Sequence, residues 1–371
     1  MDFSLTDEQN ELAKTLHAVL ARHADPLAVR IAAESELGYD PQLWQVLAQE
    51  IGVASLAIPE EFGGAGCGWL ETGLVLETLG YHLAPSPLLS SAVLATAAIL
   101  ESGNAAACER LLPGIAEGET LATLAWADSK GRWDPATNDL AAAPQGEDWV
   151  LNGEATLVID GLGANLVLAV AQTENGPGIF EILDPEAIGR ISTPAVDTTL
   201  RFATYTLDQV PARALALDAE AALAKVRDIA LVSLSCWQAG TARRGLDMTV
   251  EYSKQREQFG RAIGSFQALK HRMADMLVQV ETARTAAWAA AWSAGTGADD
   301  LPQRAASAAA WCSDALDHIA AECVQLHGGI AITWEHDAQL VFKRAHATSQ
   351  LFGQARTHRQ RLGELLGLTA A

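Results

Sequence analysis

Tyr252-Ser253-Lys254-Gln255-Arg256-Glu257-Gln258-Phe259-Gly260-Arg261-Ala262-Ile263-Gly264-Ser265-Phe266-Gln267 interrupts two alanine-rich runs, Leu217 to Ser253 and Phe266 to Ala294. Both runs are too long for ordinary globular helices. Apolar residues on more than one side predict helices packed on one another and on other subunits. Within the interruption, Arg256 is a fixed charge whose planar fork can grip a pair of diphosphate oxygens. Phe259 offers an apolar face to a heterocycle or ribose, and Gly260 permits close backbone approach. About 60 residues on comes Gln325-Leu326-His327-Gly328-Gly329-Ile330-Ala331-Ile332-Thr333-Trp334-Glu335. Gln325 carries both donors and an acceptor, and Gly328-Gly329 leaves backbone amides open to a ligand. Taken alone, the first stretch reads as a solvated charged turn; the pair together points to a ligand.

Working outward, residues 1–117 read as a helical domain. Leu5, Leu12, Leu16, Val19 and Leu20 recur at 3-4 spacing behind Thr6-Asp7-Glu8, an N-cap with an acidic first turn. Pro41 opens a second helix, Glu60 to Gly66 is a glycine-rich loop, and a further helix runs from Trp69 to Leu79. Residues 118–215 read as a β domain of short apolar runs, Thr120 to Trp126 and Leu166 to Ala171 among them. Asn152-Gly153 between Trp149-Val150-Leu151 and Leu157-Val158-Ile159 predicts a hairpin. Residues 216–371 read as a helical bundle, and no internal repeat is visible.

The chain has 371 residues, 49% hydrophobic and 19% charged, which marks a globular protein. Its net charge of −21 is unevenly spread: residues 1–240 hold 11 basic and 33 acidic residues, and residues 241–371 hold 14 and 13. This balance argues against nucleic acid and places any phosphate-bearing ligand on the last third. No apolar run reaches the ~18 residues of a membrane span, and no secretory signal is visible, so the expectation is a cytoplasmic protein. Five scattered cysteines read as free thiols, and the histidines show no metal-ligand spacing, so no metal is expected.

The two long motifs resemble the acyl-CoA dehydrogenase family, whose signatures are an R-x-x-F-G-x-x-I-x-x-F-Q loop and a Q-x-x-G-G helix end. The opening Phe3-Ser4-Leu5-Thr6-Asp7-Glu8-Gln9 and the α–β–α order follow the same plan. The resemblance implies an α+β fold with an amino-terminal helical domain, a middle β-barrel or sandwich domain and a carboxyl-terminal four-helix bundle. It implies FAD as cofactor, an acyl-CoA substrate and an acceptor like electron-transfer flavoprotein. It also implies a flavin site split between subunits, the arginine loop from one and the Q-x-x-G-G segment from its neighbour. Arg256, Gln258, Phe259, Gln325, His327, Gly328 and Gly329 become the cofactor-binding candidates, and Arg344 is either a ligand contact or a solvated helix-face residue. The family's flavin-covering loop and strand are similar to Ala127-Asp128-Ser129-Lys130 and Thr156-Leu157-Val158-Ile159, which adds Thr156; Trp126 and Trp133 are candidate pocket walls.

In most of the family a glutamate 27 residues after the motif glutamine takes the substrate α-proton; here the count from Gln325 reaches Phe352. A minority place it 26 residues before the motif arginine, and the count from Arg256 reaches Ala230. Neither accepts a proton. Phe352 is then read as pocket lining. Asp228 is the nearest carboxylate to the second position, but two residues turn it about 200° around a helix. The segment Phe342 to Gly353 resembles the branch of bacterial subunits that handle steroid side-chain or dicarboxylic acyl-CoA esters. Several of these form α2β2 heterotetramers in which one subunit type supplies the base. The expectation is an FAD-dependent acyl-CoA dehydrogenase or a subunit of one, as homodimer, homotetramer or α2β2 heterotetramer. The alternatives are a catalytically silent subunit, and a flavin oxidase or monooxygenase on the same fold.

Overall fold

A computed structural model describes residues 5–146 and 148–368; Phe3 of the opening pattern lies outside them. The order is helical, then β, then helical. Helices α1 (Asp7–His23), α2 (Pro26–Glu34), α3 (Pro41–Gln45), α4 (Trp69–His82), α5 (Thr96–Glu101) and α6 (Ala105–Ala116) come first. Strands β1 (Ala122–Ala125), β2 (Ala141–Gln145), β3 (Asp148–Ile159), β4 (Leu166–Thr173), β5 (Gly176–Ile182), β6 (Gly189–Thr193) and β7 (Phe202–Ala216) follow. The last part holds α7 (Glu220–Gln255), the short strands β8 (Glu257–Gln258) and β9 (Arg261–Ala262), α8 (Gln267–Thr296), α9 (Leu301–His327), α10 (Ala338–Thr348) and α11 (Ala355–Leu365). No helix among the described residues is long and apolar enough to cross a membrane.

Contacts gather these elements into two compact units. One unit is Ile31–Thr72 with Pro85–Ala230; the other is the chain up to Arg30, Gly73–Ala84, and the chain from Leu231 on.

In the first unit the strand pairings close a ring, β4–β2–β3–β7–β5 and back to β4, with β1 beside β4 and β6 beside β7. Closure removes edges that would otherwise leave backbone groups unpaired. Inside lie Leu151, Val158, Val167, Phe180, Tyr205 and Val210. The expected Asn152-Gly153 hairpin is absent: β3 continues through both residues, and its register against β7 shifts between Leu151 and Gly153. Gly153 has φ +122°, and a Cβ there would lie 2.3 Å from the Asp139 carbonyl oxygen. The Asn152 side chain accepts from the Gln209 backbone N–H at 2.8 Å. The dipeptide therefore serves a bulge; its conformational freedom was legible, its use was not.

In the second unit, Thr6 caps α1 through a reciprocal capping box with Gln9. The small side chains Ala283, Ala287, Ala290 and Ala291 of α8, and Ala305, Ala308, Ala309 and Cys312 of α9, are buried. They let helix axes approach at the short end of the usual 8–10 Å. α10 and α11 pack on α9. α4 crosses α7 where a Cβ on Gly240 would lie 1.8 Å from the Glu77 carbonyl oxygen, and Thr241 Oγ1 donates to the Gly80 carbonyl at 3.2 Å. Beside this crossing, Glu77 accepts from Arg284 Nε at 2.7 Å and Trp288 Nε1 at 2.5 Å. The cysteines are free, Cys67 exposed and the other four buried.

At the α1–α4 contact, His17 Nδ1 and His82 Nε2 stand 3.1 Å apart and share one proton. Burial, with the charges of His17 and Arg244, pushes His82 down to about 4. The unfolded chain binds a proton near pH 6.5 that the folded chain refuses, so stability is lost as pH falls from about 6.5 toward 4. Urea midpoints measured across that window should decline with acidity. In His82→Gln the slope should flatten, leaving the smaller contributions of His17, His327 and His336, which are lowered too.

Candidate functional site

The end of α7 turns into a hairpin. β8 and β9 pair through Glu257–Ala262 and Gln258–Arg261, with Phe259 and Gly260 at the tip. Both tip residues have positive φ, +56° and +76°, the geometry of a type I′ turn. Glycine adopts it freely; a phenylalanine there costs about 1–3 kcal/mol. The hairpin root is closed by Ile263 N–H donating to the Arg256 carbonyl at 2.8 Å. Phe259 is 92% exposed. Its ring meets the Phe266 ring edge to face at 6.1 Å, and the Arg261 guanidinium lies 4.0 Å over Phe266. Arg256 and Gln258 are exposed too. Gln258 donates to the Glu257 carbonyl at 2.8 Å, whereas Arg256 makes no ion pair among the described residues.

The carboxyl end of α9 carries the second motif. Gly328 has φ +67°, and its N–H closes the helix on the Val324 carbonyl. A Cβ on Gly328 or Gly329 would meet nothing within 4 Å. Gln325 and both glycines are exposed, and Ile332 and Trp334 stand out into solvent beside them. His327 is different: it is 4% exposed. Its Nδ1 lies 2.7 Å from the Cys323 carbonyl, so the ring proton sits on Nδ1. Nε2 is buried. Burial lowers the ring's pKa, which keeps it neutral. Tyr252 and His336 flank it, ring centres 4.5 Å and 4.7 Å away. Tyr252 thus ties the root of the hairpin to the end of α9. Both flanking residues were visible in the sequence, but no spacing rule marks an aromatic stack assembled from separate elements.

The β unit brings its two expected segments together. Thr156 N–H donates to the Ala127 carbonyl at 2.9 Å, and Thr156 Oγ1 donates to the Asp128 carbonyl at 2.5 Å. Next to it Leu157 has φ +49°, and the register against β7 shifts between Ala155 and Val158. Burial alone would raise the Asp128 pKa. Hydrogen bonds from Arg132 and Lys130 outweigh it and hold this carboxylate below its ordinary range. Trp126 is fully buried, 6.4 Å from Trp133 in a T-shaped pair, and its carbonyl accepts from Asn138 Nδ2 at 2.7 Å.

The counted positions are interior ones. Ala230 and Phe352 are buried, and Phe352 adopts φ +57° with Gly353 at +111° behind it. Asp228 is buried as well, 3% exposed. Arg344, 1% exposed, is not a solvated residue: its guanidinium lies 4.3 Å over the Trp237 ring. Residue type does not reveal this, because which helix face meets a neighbour is decided by packing.

Residues 6–119 match the model of the acyl-CoA dehydrogenase N-terminal domain, and residues 230–367 that of the acyl-CoA dehydrogenase C-terminal domain. Acyl-CoA dehydrogenase IpdE2 of Mycolicibacterium smegmatis is 39% identical over 364 residues, covering 96% of this chain and 98% of the relative. Among solved structures, a variant of the Tcur3481-Tcur3483 steroid ACAD superposes with a TM-score of 0.89 at 34% identity, covering 97% of this chain and 98% of that one. The ChsE4-ChsE5 complex from Mycobacterium tuberculosis superposes with a TM-score of 0.90 at 29% identity, with full coverage of both chains.

Open space around the glycine pair separates two roles by substitution. Gly328→Ala forces a side chain into positive φ and should cost about 1 kcal/mol. Gly329→Ala meets neither strain nor neighbour and should leave the thermal midpoint unchanged. A fall in Gly329→Ala as large as in Gly328→Ala would show that Gly329 serves packing within the chain.

Proposed function

The chain belongs to the acyl-CoA dehydrogenase family, and from that premise we propose that it is one subunit type of a heteromeric flavoenzyme whose partner supplies the proton-abstracting carboxylate. Membership makes it an oxidoreductase acting on CH–CH groups, with FAD as cofactor. The substrate proposed is a steroid-derived acyl-CoA thioester, supported by the similarity to a steroid ACAD built from two chain types. The observation that carries the heteromeric reading is Phe352, a buried phenyl ring at the position where most of the family has its base.

The residues fit a flavin dinucleotide. Arg256 is an exposed guanidinium without an internal ion pair, suited to two diphosphate oxygens. Gly328 and Gly329 form a cradle that a Cβ would fill, and nothing in the chain itself requires Gly329 to be glycine. Gln325 and Gln258 add amide donors, and Phe259 adds an apolar face. Thr156 spends its hydroxyl proton on Asp128, so this strand contributes lone pairs and backbone groups toward a flavin ring. His327, its Nδ1 on the Cys323 carbonyl, orders the helix end behind the glycines. FAD, when bound, supplies a two-electron hydride acceptor. Phe352 and Trp126 are buried apolar side chains, and neither takes a proton.

A second reading keeps the base in this chain, at Asp228. Its support is place: Asp228 is a buried side chain on α7, two residues from the counted position. The 200° offset from Ala230 along α7 weighs against it.

Two measurements test this. In Arg256→Ala, loss of a charge-assisted contact worth about 1.5–3 kcal/mol should weaken FAD binding roughly 10- to 150-fold while circular dichroism stays unchanged. Unaltered flavin content would refute the role of Arg256. In the second, steroid acyl-CoA esters are added anaerobically to the chain alone and to the chain mixed with a glutamate-bearing paralogue. Bleaching of the flavin band only in the mixture supports the heteromer. Bleaching by the lone chain that drops at least a hundredfold in Asp228→Asn transfers the role to Asp228.

A further inference from the structure

Residues 328–337 join α9 to α10 and carry the glycine pair, yet little packing holds them. Of these residues only Ala331 is fully buried, whereas Ile330, Ile332 and Trp334 are exposed. A cavity of about 530 Å³ lies against the segment, with Leu27, Met248, Trp334 and His336 in its lining. The hydrogen bonds inside the segment are local. Thr333 N–H and Thr333 Oγ1 both donate to the Ile330 carbonyl, at 3.1 and 2.7 Å, and His336 N–H donates to the Thr333 carbonyl at 3.4 Å. Turns of this kind set local shape and leave the direction of the whole segment free. Its leading end is fixed by α9, through the closure of Gly328 N–H on the Val324 carbonyl.

The trailing end is fixed from elsewhere in the helical unit. Arg30, on α2, donates through Nη1 to Asp337 Oδ1 at 2.7 Å and through Nη2 to the Trp334 carbonyl at 3.4 Å. Nη1 also donates to the Pro26 carbonyl one turn back at 3.0 Å, which orients the fork. Arg244, on α7, places Nη2 3.7 Å from Asp337 Oδ2. Among the described residues, these two arginines are the side chains outside α9 and α10 that hydrogen-bond or ion-pair with the segment. Asp337 stands at the N-cap of α10, yet its side chain makes no capping bond. An aspartate there ordinarily accepts from the N–H groups of the first turn. Here the Ala338 N–H goes to His336 Nδ1 at 3.1 Å, and the carboxylate is turned to the arginines instead. With side chains 22% and 16% exposed, Arg30 and Asp337 form no ordinary surface ion pair.

We propose that Arg30 and Asp337 are positioning residues for the cofactor segment: α2 clamps its trailing end so that the amides of Gly328 and Gly329 stand preset for a diphosphate. This rests on the reading of the glycine pair as a flavin cradle. Both residues act through the segment, since neither comes within 4 Å of a Cβ built on either glycine. The guanidinium fork is what the geometry requires, because one planar group reaches a carboxylate and a carbonyl of the same segment. A segment held at both ends meets its ligand already ordered, whereas a loose one gives up affinity to its own ordering.

The test is FAD titration of the full chain in its native assembly, with hydrogen exchange of residues 328–336 and the thermal midpoint of the flavin-free protein. Arg30→Ala and Asp337→Asn should each weaken FAD binding roughly tenfold and lower the protection of that segment. The double variant should lose less than the product of the two single losses, because the residues act as one clamp. Losses that multiply in full overturn the pairing. A merely structural ion pair would lower the flavin-free midpoint and leave the affinity as it was, and that result overturns the proposal. Gly329→Val, which meets no neighbour in the chain, is the control for the cradle. If it weakens FAD while Arg30→Ala does not, the clamp alone has failed. If neither variant weakens FAD, the cradle reading has failed and the clamp with it. Should Arg30→Ala not fold, Arg30→Lys keeps the charge without the fork and must show a smaller fall of the same kind; an unchanged affinity overturns the proposal equally.

Discussion

The helical unit depends on one close approach. Where α4 crosses α7 no side chain fits between the two backbones, because a single methyl at Gly240 would sit 1.8 Å from the Glu77 carbonyl oxygen. Gly80 repeats the constraint from the other helix, where a Cβ would lie 2.2 Å from the Trp237 carbonyl oxygen. Such contact fixes the rotation of α7 about its own axis far more tightly than interlocking long side chains would. The rotation of α7 then determines which of its residues face inward and in what direction the Arg256 hairpin leaves its end. Glu77, Tyr81, Arg243, Asp247 and Arg284 are gathered by the same crossing around a polar cavity of about 370 Å³.

Much of the architecture was readable from periodicity. The two long alanine-rich runs become α7 and α8, and Thr6 caps α1 as its side chain predicts. What failed was the inference from residue type to use. Asn152-Gly153 supplies a positive φ, which a hairpin and a bulge need equally; only the partner strand decides between them. Arg344 reads as a ligand contact or a solvated helix-face residue, yet it is interior, and so is Asp228. Their burial follows from helix packing in three dimensions, which a linear pattern of apolar residues does not encode.

The proposed site was legible through residues whose form nothing inside the chain explains. Gly329 has ordinary backbone angles and open space around it, so nothing internal explains a glycine. Phe259 gains almost no burial from its own chain. A residue chosen for an external contact leaves its mark in sequence as a short motif without internal periodicity. Residues chosen for internal contact, such as Tyr252 and His336 around His327, dissolve into the general pattern.

The Phe259 hairpin also has a kinetic meaning. Its backbone strain is already present in the unassembled chain, its root is closed by a hydrogen bond, and Arg261 holds Phe266 beneath the tip. A surface that meets this hairpin finds a rigid knob, with no loop left to order at the moment of contact. Preformed shape of this kind removes a conformational search from the encounter, so association is governed by orientation and diffusion.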